Sequence, residues 1–155
     1  MQRFKWSLDF VRALSAGYEA LRVSASGESA IEVGTTDGKA DVVVRLATTL
    51  AASATVDVDL RALVGAAGET ITLAEVHDIV GVIKTAGGTG TVTPHATNGW
   101  TGLGSAYSIP VSANGVFAIA NGPGIAVTST NKVFTYTNTG AASADIELYI
   151  VGRKA

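Results

Sequence analysis

The sequence predicts an all-β protein, an antiparallel β-sandwich of jelly-roll-like form with an N-terminal arm or short extra segment. Two observations carry that expectation. From about Ala40 onward the chain is a succession of short Val/Ile/Thr-rich runs, and the dipeptides Asp37-Gly38, Asn98-Gly99, Asn114-Gly115 and Asn121-Gly122 punctuate it. Turn dipeptides between alternating apolar segments are the strongest local signal of hairpins. The number of runs is the second: more strands than a simple meander accommodates must hide their edges in a closed or double-layered architecture. An immunoglobulin-like sandwich is the alternative, without the Cys and Trp spacing that would support it.

In order, the N-terminal run alternates Phe4, Trp6, Leu8 and Phe10 with Lys5, Ser7 and Asp9, the period of a strand with one apolar face. A rival pattern joins Phe10, Leu14, Tyr18 and Leu21 into a short helix over about 9–20, weakened by Gly17. Short strands are expected around Leu21–Val23 and Ile31–Val33. The sandwich strands are expected at 41–46, 55–60, 70–73, 76–84, 90–94, 108–111, 116–120, 125–129, 132–138 and 145–151. The run Val76 to Lys84 is apolar on both faces, as a central strand would be. Residues 1–38 are therefore read as an arm with short strands that cannot fold independently, and 39–155 as the sandwich domain. Ala51 to Leu60 and Ala141 to Ile150 echo each other: a small-residue turn leads into an apolar strand with acidic alternates. Equivalent corners, or chance in an Ala/Ser-rich chain, would produce this.

Composition narrows the function. A chain of 155 residues buries roughly 68–70% of its unfolded surface, enough for one core. With no cysteine there is no disulfide, thiolate metal site or cysteine nucleophile. Eleven basic against thirteen acidic residues give a net charge of −2, too balanced to gather nucleic acid or anionic lipid. The first ten residues lack the apolar stretch of a secretory signal, and no later segment has the length that spans a bilayer. Only 15% of residues are charged while 47% are hydrophobic, and such a charge-poor exterior fits two readings equally, a surface covered by partner chains or a monomer coated in Thr and Ser.

Reactive constellations are thin. His77 and His95 stand far apart, and two histidines fall short of the three or four ligands of a zinc site. His77 is expected half-buried, with Asp78 pointing oppositely. No serine sits in a Gly-x-Ser-x-Gly elbow. Asp57, Asp59, Glu75, Asp78, Asp145 and Glu147 could place two carboxylates across a cleft, but strand alternation accounts for Asp57 and Asp59 as solvated residues. Gly87-Gly88-Thr89-Gly90 has no phosphate-loop ending. The expectation is a non-enzyme with no cofactor and no metal. Asn98, Trp100 and Tyr107 lie on a long loop; the aromatics there suit core packing, a protein interface or a stacked sugar.

The runs Thr49 to Leu60, Ile71 to His77, Pro94 to Trp100, Ile109 to Phe117 and Asp145 to Arg153 together resemble small virion structural proteins of tailed bacteriophages. The resemblance implies a head cement or decoration protein, commonly a trimeric jelly-roll-like domain on the capsid lattice. It implies a homo-oligomer, a trimer above other states, the major capsid protein or another virion protein as partner, and a place in the virion after assembly in the host cytoplasm. No nucleic acid, membrane or catalytic residue is implied. Phe4, Trp6, Leu8 and Phe10 are the expected docking element, adding a strand to a neighbour or inserting into the shell. A tail-fibre or spike module that binds host glycan through the Trp100–Tyr107 loop is the alternative.

Overall fold

A computed structural model describes residues 2–12, 21–31, 34–85 and 88–155; for 2–12 and 21–31 it describes the backbone. All described regular structure is strand: β1 (Gln2–Arg12), β2 (Leu21–Ile31), β3 (Val42–Leu50), β4 (Thr55–Asp59), β5 (Leu63–Val64), β6 (Thr70–Ile71), β7 (Leu73–Ile83), β8 (Gly90–Pro94), β9 (Ile109–Val111), β10 (Val116–Ala126), β11 (Val133–Asn138) and β12 (Ala144–Lys154). The all-β expectation holds. Two four-stranded antiparallel sheets pack face to face, sheet I in the order β10-β7-β12-β3 and sheet II in the order β4-β11-β8-β9. β1 and β2 form a two-stranded ribbon, and β5 and β6 a small hairpin.

The pairing is nested. β8 pairs with β9, β7 with β10, β4 with β11 and β3 with β12, so the two arms of one long ribbon fold on each other and roll up. Along each arm the chain crosses between sheets, from β3 to β4 and later from β11 to β12. Those two crossings, 51–54 and 139–143, lie side by side, and they contain the small-residue starts of the two echoing segments, at Ala51 and Ala141. Asn138, with no exposure, ties them: its Nδ2 donates to the carbonyls of Leu50 (3.2 Å), Ala51 (2.9 Å) and Ala142 (2.9 Å).

Between the sheets the core takes the inward alternates of every strand. Val44, Ile79, Ile83, Ile146, Leu148 and Ile150 face it from sheet I, and Val58, Val92, Phe134 and Tyr136 from sheet II. Inward Gly81 leaves room for the Phe117 ring, which crosses from β10 onto it. A side chain at position 81 would occupy the space the ring fills, so here the glycine serves packing.

Several expectations need correction. The Asn121-Gly122 turn does not reverse the chain: Ala120 pairs with Asp78 and Ile125 with Val76, so both flanks belong to β10 and residues 121–124 form a bulge. The two short strands expected in residues 21–33 are one continuous strand up to Ile31, running through Ser26-Gly27. The helix over 9–20 begins where β1 continues to Arg12, and its remainder, 13–20, lies outside the described residues. His77 is fully buried rather than half-buried, and Asp78 is 1% exposed. The cause is a bulge: Asp78 pairs with Val151 and Val76 with Gly152, so His77 is the extra residue of β7.

Candidate interaction surface

The tip of the rolled ribbon, between β8 and β9, carries Asn98, Trp100 and Tyr107. Trp100 is 1% exposed and packs its indole against Phe134, ring centroids 6.5 Å apart. Gly102 folds over the indole: a Cβ there would lie 2.6 Å from Trp100 Cζ2. The backbone fixes this placement, since Trp100 N donates to the Val133 carbonyl (2.7 Å) while the Asn98 carbonyl accepts from Lys132 and Val133 N (2.9 Å each). Tyr107 packs partly buried against the core, and burial pushes its phenol up to about 12. Asn98 is the one exposed member, at φ +56°. The three residues thus form no stacking platform: the Trp100 ring that a sugar would lie on is inside the core.

The two outer faces of the sandwich differ. On sheet II the outward alternates are Thr55, Asp57, Thr91, Thr93, Thr135 and Thr137, with Thr135 Oγ1 donating to Asp57 (2.6 Å). That face is a water-compatible threonine lattice. On sheet I the outward rows read Val116–Val82–Glu147–Ala47, Ala118–Val80–Tyr149–Arg45 and Ala120–Asp78–Val151–Val43. Val43 and Val116 are 59% and 57% exposed, and Ala47, Ala118 and Ala120 are exposed with them. Solvent gains nothing from such a face, which is what a contact surface requires.

Two charged features interrupt it. Glu147, mostly covered, accepts from Lys84 Nζ (2.6 Å), Arg45 Nη2 (2.6 Å) and Tyr149 Oη (2.9 Å). Lys84 first, then Arg45 and Tyr149, hold its carboxyl down to about 2, against an ordinary value of 4.5. A depressed carboxylate stabilises the fold above its unfolded pKa, and the contribution disappears as pH falls through its folded pKa. The urea midpoint should therefore decline as pH is lowered from about 4.5 to 2, and Glu147→Gln should remove this residue's share of the decline. An unchanged pH profile in the variant would show that the three donors do not bias Glu147.

Asp78 is the second feature. Neither of its oxygens has a hydrogen-bond partner, and burial raises its pKa, with His77 pulling the other way. At the same end of the sheet Glu75 accepts from Arg153 Nη2 (2.9 Å), Arg153 Nε (3.3 Å) and Gly38 N (3.1 Å), and Arg153 also pairs with Asp37 (2.7 Å). The Arg153 guanidinium holds the Glu75 carboxyl below its usual range. These contacts anchor the segment around Asp37 and Gly38 that leads into β3.

In the ribbon, β1 pairs residue for residue with β2, with Phe4 opposite Ser29, Trp6 opposite Gly27, Leu8 opposite Ala25 and Phe10 opposite Val23. The register sets Phe4, Trp6, Leu8 and Phe10 at alternate positions of β1, with Lys5, Ser7 and Asp9 between them opposite Glu28, Ser26 and Ser24. The expected docking stripe thus lies in a two-stranded element rather than a lone strand. Its partner strand was missed because Ser24 to Ala30 is too polar and Gly-interrupted to read as a strand.

Elsewhere the acidic residues serve structure. Asp59 pairs with Lys132 (2.6 Å) and caps Arg61 N (2.8 Å), while His95 Nε2 stands 3.5 Å from Asp57. No protein-family model matches this chain, and comparison with curated proteins returned no match.

Proposed function

We propose that this chain is a structural component of a bacteriophage particle, a head cement or decoration protein that associates as a homo-oligomer, a trimer by the likeness above, and binds across capsid subunits. The observation that carries the reading is the asymmetry of the sandwich: one outer face is threonine and aspartate, the other valine and alanine. A face of the second kind stabilises an assembly by being covered. We read the nested pairing of β3–β12, β4–β11, β7–β10 and β8–β9 as a jelly roll, an architecture that serves in viral capsids as well as lectins. The ribbon carries the alternating Phe4, Trp6, Leu8 and Phe10, and a two-stranded ribbon is marginal alone in water, so it is stabilised by what it docks against.

The mechanism is area. Stable interfaces bury roughly 1,200–2,000 Å² in total, and symmetry-related copies convert a modest single contact into avidity. The alternative of a host-glycan module rested on an accessible Trp100, and its support falls with that ring's burial. The test is twofold. Purified particles of the source phage should contain the chain in high copy number, and a variant lacking residues 1–31 should unfold cooperatively yet no longer copurify with them. Absence from the particle, or a few copies at the tail, would overturn the head assignment; loss of cooperative unfolding would place the ribbon in the chain's own core.

A further inference from the structure

A β-sandwich has four edge strands, and here three are guarded against strand addition. β4 carries Asp57 and Asp59 within five residues, so a second copy would meet it charge against charge. β9 is three residues long and contains Pro110. β10 is broken by its bulge at Asn121-Gly122-Pro123-Gly124. Short strands, charges, prolines and bulges are the devices by which natural sheets blunt their edges. β3 has only one of them.

Its nine residues, Val42–Leu50, keep an unbroken register with β12 from Gly152 to Ala144, with no proline, glycine or acidic residue and one charge, Arg45. The β5 strand lies against β3 without hydrogen-bonding to it, and among the described residues β3 pairs with β12 alone.

We propose that β3 is a self-association edge: two copies pair their β3 strands antiparallel about a two-fold axis at Leu46, fusing two four-stranded sheets into one. The sequence of the strand is self-complementary in that register. Val42 falls opposite Leu50 of the second copy, Val43 opposite Thr49, Val44 opposite Thr48 and Arg45 opposite Ala47. Inward alternates meet inward ones and outward meet outward, as pleating requires. Valine and threonine pairs are the cross-strand contacts that favour sheet formation. The register of greatest overlap sets Arg45 opposite Ala47 with the second arginine on the diagonal, whereas an axis at Arg45 would set arginine directly against arginine. In the favoured register Arg45 lies beyond Ala47 from Glu147 of the second copy, the carboxylate that β12 sets opposite Ala47. Val43, 59% exposed, gains a cross-strand neighbour. Such a contact is isologous and closed. It goes beyond the particle reading and does not depend on it; with a three-fold contact elsewhere it would join trimers in pairs.

Ala47 is exposed and stands opposite Glu147 within the same copy, so a lysine there is compatible with the single copy, and the axis makes any charge at position 47 face Arg45 twice. In the full chain, sedimentation equilibrium should give an even number of copies. Ala47→Lys should weaken association about tenfold or more and halve the assembled mass, while the uncharged Ala47→Gln should leave it near the wild-type value, since like charges oppose across an interface. Because the chain has no cysteine, crosslinking gives an independent readout. Directly opposed antiparallel residues lie within disulfide range, so a mixture of Arg45→Cys and Ala47→Cys proteins should oxidise to a covalent heterodimer while neither alone does. A monomeric wild type, a strict trimer indifferent to Ala47→Lys, or crosslinking without position dependence would overturn the proposal; a strict trimer would leave the particle reading standing.

Discussion

Trp100→Ala should destabilise the protein by roughly 3–5 kcal/mol, the usual cost of emptying an aromatic site in a close-packed core. The indole is 1% exposed, tilted at 52° to the Phe134 ring and roofed by Gly102. Its Nε1 has no hydrogen-bond partner, so the contribution comes from packing. Trp100→Phe should therefore recover most of the loss, because the smaller ring keeps the contact with Phe134. Urea unfolding decides this, and a cost below about 1 kcal/mol for the alanine variant would mean that the loop closes over the vacancy. Any binding lost in Trp100→Ala reports the fold. Asn98 is exposed on the same loop at φ +56°, so Asn98→Gly, which keeps that backbone conformation accessible, is the replacement that tests contact by the loop itself, with an expected stability change within about 0.5 kcal/mol.

Strand positions were legible because alternation is a local property. Gly90–Pro94 matches its expected bounds, and Val133–Asn138 and Ala144–Lys154 lie within or around theirs. The turn dipeptides were legible as turns: Asn98, Asn114 and Gly38 adopt positive φ of 56°, 53° and 77°. None of them closes a two-residue hairpin. Asn114-Gly115 carries the chain from β9 in sheet II to β10 in sheet I, and Asn121-Gly122 opens a bulge. The reason is that hairpin logic assumes neighbours in sequence are neighbours in a sheet. In a rolled ribbon Leu50 pairs with Ala144, and nothing local records that partnership.

The same limit governs the surface. Alternation places Val80 and Val82 on the face opposite Ile79 and Ile83, but only the strand order reveals that they join Val43, Val116 and Val151 in one apolar sheet. His77 was misread as half-buried because it is the extra residue of a single-residue bulge, and bulges have no reliable composition. The contribution of Asn138 was invisible for another reason. An asparagine at a strand end reads as a turn former, and its three acceptors come from segments 4, 87 and 88 residues away.

That asparagine yields the second large effect. Asn138→Ala should cost roughly 1–3 kcal/mol, because the buried Leu50 carbonyl and the partly buried Ala51 and Ala142 carbonyls lose the donor that ties the two corners together. Its Oδ1 also accepts from Gly140 N (3.0 Å), and its own N donates to the Ala54 carbonyl (2.9 Å), so one residue organises both crossings between the sheets. Asn138→Asp separates shape from chemistry. The side chain keeps its outline but turns carbonyl-facing donors into acceptors, and at neutral pH it brings a charge into a site with no exposure. It should therefore be more damaging than alanine at pH 7 and recover partly in acid, where a protonated carboxyl regains one donor. Equal costs for the two variants at pH 7 would reduce Asn138 to a packing element. Greater damage from the aspartate would establish that the rolled ribbon is pinned at its corners by one amide, with the small residues on either side, Ala51 to Ala54 and Ala141 to Ser143, allowing the two bends to lie close enough to share it.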